Sequence, residues 1–383
     1  MALSQASLLV GKGSTDTPNS ATRREFPISW GGVTVTEGAV APSIQRTLTR
    51  KTDTLLRDTG ARLDGAATEL ETTLAYHATH GRLAQVTARL GGIDRYFYYM
   101  SYQYGSYDRI ANFSAPAHSV TNQWMNPLGA LSKKENKVGG ANVSTYQYGV
   151  NGIGQRTSVD TSGGAFASAD AADWQWKYNL RGELASARNN PVQPTSTASR
   201  FYEFDGIGNR LRQREGVFAD TGGTLTSYTA NALNQYTAVN IATPYHDYDG
   251  NMTSGPIPVS ATGASLGWNG ENRLASSYPW APGSAWSACL YDALGRRAMK
   301  TVTPSGGAAT RTYFIHDGWN LVAEYSGAVH TSGPPPALTL ERTHAWGTDL
   351  SGSGQGAGGV GGLLATHLHN AGANSGFFRE YHG

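Results

Sequence analysis

Apolar and polar positions along the chain recur as a short unit. Each copy has an aromatic residue, an Asp or Asn, two or three turn residues that include glycine, a polar residue or arginine, and an apolar residue. Copies occupy residues 148–156, 178–184, 204–211, 248–252, 268–274, 291–297 and 316–321, and a degenerate copy begins at residue 76. Several copies start 20 to 26 residues apart, a period typical of repeat arrays.

One unit predicts one β-hairpin. The aromatic residue ends a strand and faces the interior, and the Asp or Asn side chain bonds the backbone two residues on to start the turn. Glycine takes the positive φ that other residues resist, and the residues that follow begin the return strand with side chains on opposite faces. The chain is therefore predicted to be all-β, built from antiparallel hairpins. The predicted anchors of these hairpins are Tyr148, Tyr178, Phe204, Asp205, Gly208, Arg210, Tyr248, Asp249, Gly250, Trp268, Asn269, Gly270, Tyr291, Asp292, Gly295, Arg296, Asp317, Gly318 and Trp319.

The repeats divide the chain into three parts. Residues 1–75 form a β-rich lead-in, in which 66–71 could make one or two helical turns, and residues 76–350 form the repeat array. Residues 351–383 combine a glycine-dense linker, which contains Gly358, with an uncapped tail that matches no repeat. Stretches rich in Thr, Ser, Gly and Pro, such as 191–199 and 253–264, are predicted to be hairpin tips or outer loops.

Composition excludes some classes of protein. Charged residues make up only 15% of the chain, and 30 basic against 28 acidic residues leave a net charge of +2, which gives no electrostatic footprint for nucleic acid or anionic membrane. The lone Cys289 cannot form an internal disulfide and is predicted to pack as a small apolar side chain. No run of about 18 apolar residues predicts a membrane span. The first 14 residues do not predict a signal peptide, so the export route is not visible.

The units resemble the YD repeats of the RHS family, whose consensus is roughly Gly-x-x-x-Arg-Tyr-x-Tyr-Asp-x-x-Gly-Arg-Leu. The resemblance covers residues 76–365. Four segments, 228–236, 268–274, 317–320 and 346–352, are more specific and resemble the stretch that leads into the RHS repeat-associated core. In that family the repeats form one long β-sheet coiled into a hollow shell. The shell of polymorphic toxins encloses a C-terminal effector, and related surface proteins serve adhesion, with sugar binding suggested.

The resemblance implies a structural shell segment of a secreted or cell-surface bacterial protein. Its expected partners are the downstream RHS core and the C-terminal effector. The family's core also carries an Asp-Pro autoproteolysis motif, and this chain has no Asp-Pro dipeptide, so it is expected to lack the cleaving core and the effector. One alternative is a surface adhesin whose exposed aromatic side chains bind glycans, since spacing alone does not separate core aromatics from sugar-binding ones. Another is a carbohydrate-active enzyme, which would need two carboxylates about 5 to 10 Å apart.

Two patterns resemble catalytic or cofactor motifs, and neither predicts an active site. Residues 263–267 match the serine-hydrolase elbow around Ser265, but the elbow needs a helix after it, and a predicted turn follows instead. Gly354, Gly356 and Gly359 have the spacing of a dinucleotide fingerprint, without the βαβ unit that gives it meaning. The chain is therefore predicted not to be an enzyme and to need no cofactor.

The sequence signals for metal sites are equally weak. Asp247, Asp249 and Asn251 alternate as at the start of a calcium loop, but Met252 and Pro258 occupy the positions that need glycine and glutamate. A hairpin turn is the better interpretation. The pairs His77–His80 and His367–His369 lack further ligands at metal spacing, so solvated histidines are expected and no metal is predicted.

Overall fold

The computed structural model describes part of the chain, and all structural statements refer to that part. The described residues are 9–10, 23–29, 34–35, 39–40, 45–52, 58–64, 68–90, 97–105, 109–115, 118–125, 128–166, 173–189, 198–216, 222–257, 260–329, 338–349, 351, 353–369 and 376–379.

The described chain is almost entirely β, which confirms the predicted fold class. One 3₁₀ turn, Gly164–Phe166, interrupts the strands, and no helix within the described ranges has the length and apolar character needed to cross a bilayer. The strands are β1 Leu9–Val10, β2 Arg23–Ser29, β3 Thr34–Val35, β4 Ala39–Val40, β5 Gln45–Thr52, β6 Asp58–Asp64, β7 Thr68–Tyr76, β8 Leu83–Leu90, β9 Phe97–Tyr104, β10 Ile110–Ala115, β11 His118–Met125, β12 Ala130–Val138, β13 Ala141–Val150, β14 Arg156–Ser162, β15 Trp174–Tyr178, β16 Leu184–Asn189, β17 Arg200–Phe204, β18 Arg210–Glu215, β19 Thr224–Ala230, β20 Tyr236–Val239, β21 Tyr245–His246, β22 Met252–Ile257, β23 Ser260–Trp268, β24 Leu274–Pro279, β25 Trp286–Tyr291, β26 Arg297–Thr303, β27 Thr310–Asp317, β28 Asn320–Ala328, β29 Thr339–Trp346, β30 Leu363–Leu368 and β31 Gly376–Arg379.

The chain divides into two compact units. One unit comprises residues 102–266, and the other comprises 1–101 together with 267–382. In the first unit, successive strands from β10 to β20 pair antiparallel in a meander, and β21 to β23, which belong to a second sheet, also pair antiparallel in succession. Pairing of sequence neighbours is what short hairpin connections impose.

The second unit contains two meanders, one from each of its chain segments. Strand β2 pairs with β5, and each strand from β5 to β9 pairs with the next. Strands β24 to β31 form the other meander. The segments meet where the Tyr325 hydroxyl donates to the Glu69 carboxylate. Tyr325 is fully buried, as are Leu63, Val86 and Ala323, so the interior of this unit draws on both segments.

Most hairpins carry a β-bulge beside the turn. The register shifts at the last residues of the incoming strand, as at Glu203/Phe204 between β17 and β18. The same shift occurs at Gly149/Val150, Lys177/Tyr178, Thr229/Ala230, Tyr245/His246 and Leu290/Tyr291. A bulge of this kind adds one residue to one strand and allows the turn residue with positive φ to close the hairpin.

Two sequence predictions, the short helix and the uncapped tail, are wrong in this structure. Residues 68–71 belong to strand β7 and not to a helix, because Leu70 is buried between Leu63 and Leu90 on the neighbouring strands. Residues 253–257 and 260–264 lie in β22 and β23 and form a hairpin, which is one of the two predicted alternatives for that stretch. The described part of the tail extends the sheet through β30 and β31, because pairing with β29 makes a strand of a segment that shows no repeat. Most of 191–199 lies outside the described residues.

Candidate functional site

Each unit carries a row of turns of one construction. The Asx residue, an Asp or Asn, donates its backbone N–H to the carbonyl of the fourth residue after it, and its own carbonyl accepts from the third. In the turn at Asp205 these two bonds measure 2.9 Å and 3.4 Å. The Asx residues are Asn151, Asn179, Asp205, Asn231 and Asp247 in the first unit, and Asn269 and Asp292 in the second.

The Asx side chain closes each turn. In all seven turns its Oδ1 accepts from the backbone N–H of the second and fourth residues after it, at 2.8 to 3.2 Å. These bonds satisfy backbone N–H groups that, because of the bulge, make no hydrogen bond to the neighbouring strand. The pKa values of Asp205 and Asp247 are lowered, first by the side-chain amides of Asn209 and Asn251 and then by these backbone donors.

The other polar atom of the Asx side chain, Nδ2 or Oδ2, hydrogen-bonds to the side chain of the fourth residue after it, and the two side chains are chemically matched. Where the Asx is Asn, its Nδ2 donates to an acceptor, as from Asn179 to Glu183 at 2.6 Å. Where it is Asp, its Oδ2 accepts from a donor, as from Arg296 to Asp292 at 2.7 Å. The same rule holds for Asn151 with Gln155, Asn231 with Gln235, Asp205 with Asn209 and Asp247 with Asn251. Asn269 with Arg273 departs from it, and there Arg273 pairs with Glu271.

The third residue after the Asx has positive φ in these turns. Glycine holds the position at Gly154, Gly182, Gly208, Gly250 and Gly295, and Asn holds it at Asn234 and Asn272, with φ between 58° and 96°. The prediction that Gly208, Gly250 and Gly295 take positive φ is therefore confirmed. Gly208 has little room for a side chain, in addition to its positive φ. A Cβ on Gly208 would lie 3.2 Å from Glu183 of the preceding turn.

Neighbouring turns are tied together. Gln155 Nε2 donates to the carbonyl of Gly182 at 3.1 Å, and Arg181 donates to the carbonyl of Asp205. Tyrosine hydroxyls add a second link, because Tyr178 Oη donates to the carbonyl of Arg156 at 2.7 Å and Tyr291 Oη to that of Leu274 at 2.8 Å. The sequence assigned these aromatics to core packing or to glycan binding, and their role as hydrogen-bond links between turns was missed. The turns thus form a ladder within each unit.

Some predicted anchors occupy positions in their turns other than those the sequence pattern indicated. Asp247 is the Asx of its turn, while Tyr248 and Asp249 are the first and second residues after it, and Tyr248 is fully exposed. Gly270 does not have positive φ, since Asn272 takes that position. Tyr148 is buried three residues before Asn151.

Other anchors lie where the unit places them. Tyr178, Phe204, Trp268 and Tyr291 directly precede the Asx residues of their turns. Arg210 follows its turn and places its guanidinium 4.9 Å from the Tyr202 ring centroid and 5.5 Å from that of Tyr228. The turn at Asn231 was not among the predicted anchors, although the segment 228–236 contains the same signal.

The ladder of the second unit continues in a tighter hairpin. Asp317 pairs with Asn320 across Gly318 and Trp319, and Gly318 has a φ of 58°. Arg296 of the preceding turn donates to the carbonyl of Gly318. From the other side, Gln355 donates to the carbonyl of Asp317 at 2.6 Å and accepts from the backbone N–H of Trp319 at 2.9 Å.

Gln355 belongs to a loop that folds around Asp349. The Asp349 side chain is 5% exposed and accepts from the backbone N–H of Ser351 at 2.9 Å, of Ala357 at 2.6 Å and of Gly359 at 3.1 Å, and from the Ser351 hydroxyl. Burial raises its pKa, but the hydrogen bonds from Ser351 and the backbone outweigh burial and lower it overall. The expectation of a featureless linker here is wrong, because one carboxylate organises the glycine-dense segment. Gly358 also has positive φ.

The remaining candidate residues do not assemble a reactive centre in the described residues. Ser265 lies inside strand β23 opposite Ser254, where the sharp strand-to-helix turn of a nucleophile elbow does not occur. The rings of His367 and His369 are 4.3 Å apart, and burial, with a smaller contribution from His369, lowers the pKa of His367 to about 4. No group of three or more His, Cys, Asp or Glu side chains suited to a metal ion occurs in the part that the structure describes.

The pairing rule predicts a rescue within one turn. Asn179→Asp should lower the free energy of unfolding by about 1–2 kcal/mol, because two carboxylate oxygens would face each other where an amide now donates. Glu183→Gln alone should change it by less than about 0.5 kcal/mol, since it makes the Asn–Gln pair of the turns at Asn151 and Asn231. The double variant should recover most of the loss, since the new Gln donates to the new Asp. Denaturant unfolding of the four proteins measures the coupling, and additive single effects would contradict the rule.

Comparisons with known proteins give structural similarity only. No family model matches the chain, and no curated protein matches it. The crystal structure of TcdB2-TccC3-Cdc42 is similar over 92% of this chain, with 11% identity and a TM-score of 0.39. The crystal structure of TcdB2-TccC3 is similar over 91%, with 11% identity and a TM-score of 0.38. The Photorhabdus luminescens Tc holotoxin pore with a TccC3 mutation is similar over 93%, with 12% identity and a TM-score of 0.39. The chain spans 24% of the length of each of these toxin-complex chains.

Proposed function

We propose that the chain is a structural segment of an RHS-type repeat protein, without an active site of its own, that forms part of a shell around a C-terminal effector. The observation that carries the proposal is the ladder of turns. The side chains that define the repeat bond their own turn or the next one, as Asp292 does with Arg296 and Tyr291 with Leu274. Their oxygens and nitrogens are engaged in holding the sheet together.

A row of turns that are hydrogen-bonded to one another is suited to the wall of a shell. Because each turn is bonded to its neighbour, a strand cannot slip in register without breaking contacts on both sides. Such a sheet separates the two spaces on its faces. In this proposal the protein is secreted or displayed on a bacterial surface, and its partners are the downstream RHS core and effector.

Limited proteolysis of the full-length gene product tests the enclosure. The polypeptide downstream of this chain should resist protease in the intact protein and be cleaved rapidly when expressed alone. Gly208→Val should speed cleavage of the downstream polypeptide by destabilising one turn, whereas Gly206→Val, in the same turn, should leave the cleavage rate unchanged. Equal cleavage of the downstream polypeptide with and without the repeats would refute the proposal.

Exposed aromatic side chains favour a second candidate, glycan binding. Tyr278 and Trp280 are about half exposed at the end of β24, and Tyr278 stacks on Trp286 at 5.3 Å between ring centroids. A flat apolar surface of this kind suits the face of a sugar ring. Retention of the intact protein on a glycan array, lost with Trp280→Ala, would favour the adhesin over the shell.

A further inference from the structure

Arg311 is a buried cation that forms no ion pair with the described residues. It lies in β27 on the same face as Tyr313 and Ile315, and its side chain is 8% exposed. Its Nε and Nη1 atoms are buried and have no hydrogen-bond partner in the described structure. Removing a guanidinium from water costs several kcal/mol unless an anion or acceptors replace the solvent.

Two hydroxyl groups on the same face of the sheet as Arg311 are buried, and neither makes a geometric hydrogen bond among the described residues. Tyr313 Oη belongs to the next residue on the same face of β27, and Thr303 Oγ1 comes from the neighbouring strand β26. The register places Thr301 opposite Arg311, so Thr303, two residues on, shares the face. Burial raises the pKa of Tyr313, and Arg311 opposes that rise, which indicates that the two groups are close. Tyr313 and Thr303 therefore place two hydroxyl groups, each able to donate or accept a hydrogen bond, on the same face as one cation.

Glu69, an acid that contacts the neighbouring strand β28, is already engaged. Tyr325 lies opposite Tyr313 on β28, and its hydroxyl donates to Glu69. No ion pair joins Glu69 to Arg311 in the described chain. On the other side of Arg311, β28 presents Gly327, which has no side chain to offer. The two strands that flank Arg311 thus place no carboxylate opposite it.

We propose that Arg311, Tyr313 and Thr303 form a binding site for a carboxylate. One guanidinium balances one negative charge, and the two hydroxyls donate to the oxygens that remain. A doubly charged phosphate would leave excess negative charge in this buried position, so a single carboxylate is the better match. The proposal is independent of the shell function, because it concerns only the interior face of β26 and β27.

Thermal unfolding of the intact protein with sodium acetate tests the site. At acetate concentrations about tenfold above its Kd, Tm should rise by about 2 °C relative to sodium chloride at equal ionic strength. Arg311→Met should have an acetate-free Tm equal to or above that of the natural protein, because it removes an uncompensated buried charge, and should not respond to acetate. Arg297→Met, at an exposed position on β26, should keep the full response.

Two further variants keep the test informative if Arg311→Met fails to fold. Tyr313→Phe and Thr303→Val should each shift the acetate concentration for half-maximal stabilisation upward by several-fold. A capped Gly-Glu-Gly peptide distinguishes the sources of the carboxylate. Stabilisation at lower concentration than acetate identifies an acidic polypeptide side chain as the ligand, and a response to acetate alone identifies a small molecule. Equal effects of acetate and chloride, a stronger effect of sulfate, or an acetate response that survives in Arg311→Met would overturn the proposal.

Discussion

Asp349→Ala is expected to destabilise the protein by about 2–4 kcal/mol and to release the loop that ends at β30. The substitution leaves three backbone N–H groups and one hydroxyl without their acceptor, and bonds to a charged acceptor are each worth more than neutral ones. Denaturant unfolding measures the loss. Hydrogen exchange should locate it, with the amides of Ala357 and Gly359 losing protection first.

Asp160→Ala is the control, since Asp160 is an exposed carboxylate in β14. Asp349→Asn should lower the free energy of unfolding by an amount between those of the two alanine variants. The amide keeps one acceptor oxygen, but its NH2 group points a donor at another donor. Lowering the pH should destabilise the protein as the alanine substitution does, because it protonates the Asp349 carboxylate. The pKa of Asp349 is lowered in the fold, so its contribution is complete above the unfolded value of about 3.9 and is lost as pH falls through the folded value. A loop whose amides keep their protection in Asp349→Ala would show that the carboxylate does not organise it.

Gly208→Val should cost about 1–3 kcal/mol of unfolding free energy, since valine resists the positive φ of this turn. The φ of Gly208 is 96°, and a Cβ there would also press on Glu183 of the neighbouring turn. Gly206→Val, two residues earlier, should cost much less, because Gly206 does not have positive φ and a Cβ there would meet open space. Urea unfolding of the two variants gives the comparison.

A third substitution separates conformation from volume. Gly208→Asn should be tolerated better than Gly208→Val, because Asn234 and Asn272 hold the equivalent position with φ of 62° and 58°. If Val and Asn were equally costly at 208, crowding against Glu183 would be the cause, and the positive φ would not.

The turns were predictable because their bonds are local. The bonds that close a turn at Asp205 or Asp292 join residues no more than four apart, so the aromatic–Asx–Gly order carries the information. The same locality explains the error at Asp249. Asp247 and Asp249 are both Asx residues in the same short segment, and only the pairing of Tyr245 with Ser254 and His246 with Met252 selects Asp247.

Features that depend on distant residues were not predictable. The sequence 351–362 has the composition of a linker, yet Asp349, Gln355 and the hairpin at Gly318 fold it into a loop through bonds that span up to 38 residues. Leu70 belongs to a strand because β6 and β8 pair with its backbone on both sides.

The sequence by itself determined the all-β class and the construction of each turn, because a β-hairpin with an Asx turn is specified by side chains that touch their own backbone. Only the tertiary structure decided which strands flank the interior, where tyrosine hydroxyls link successive turns, and that Arg311 is buried with two of its nitrogens unpaired. Those properties arise from the burial and register of strands that meet in space, and a local pattern holds no information about them.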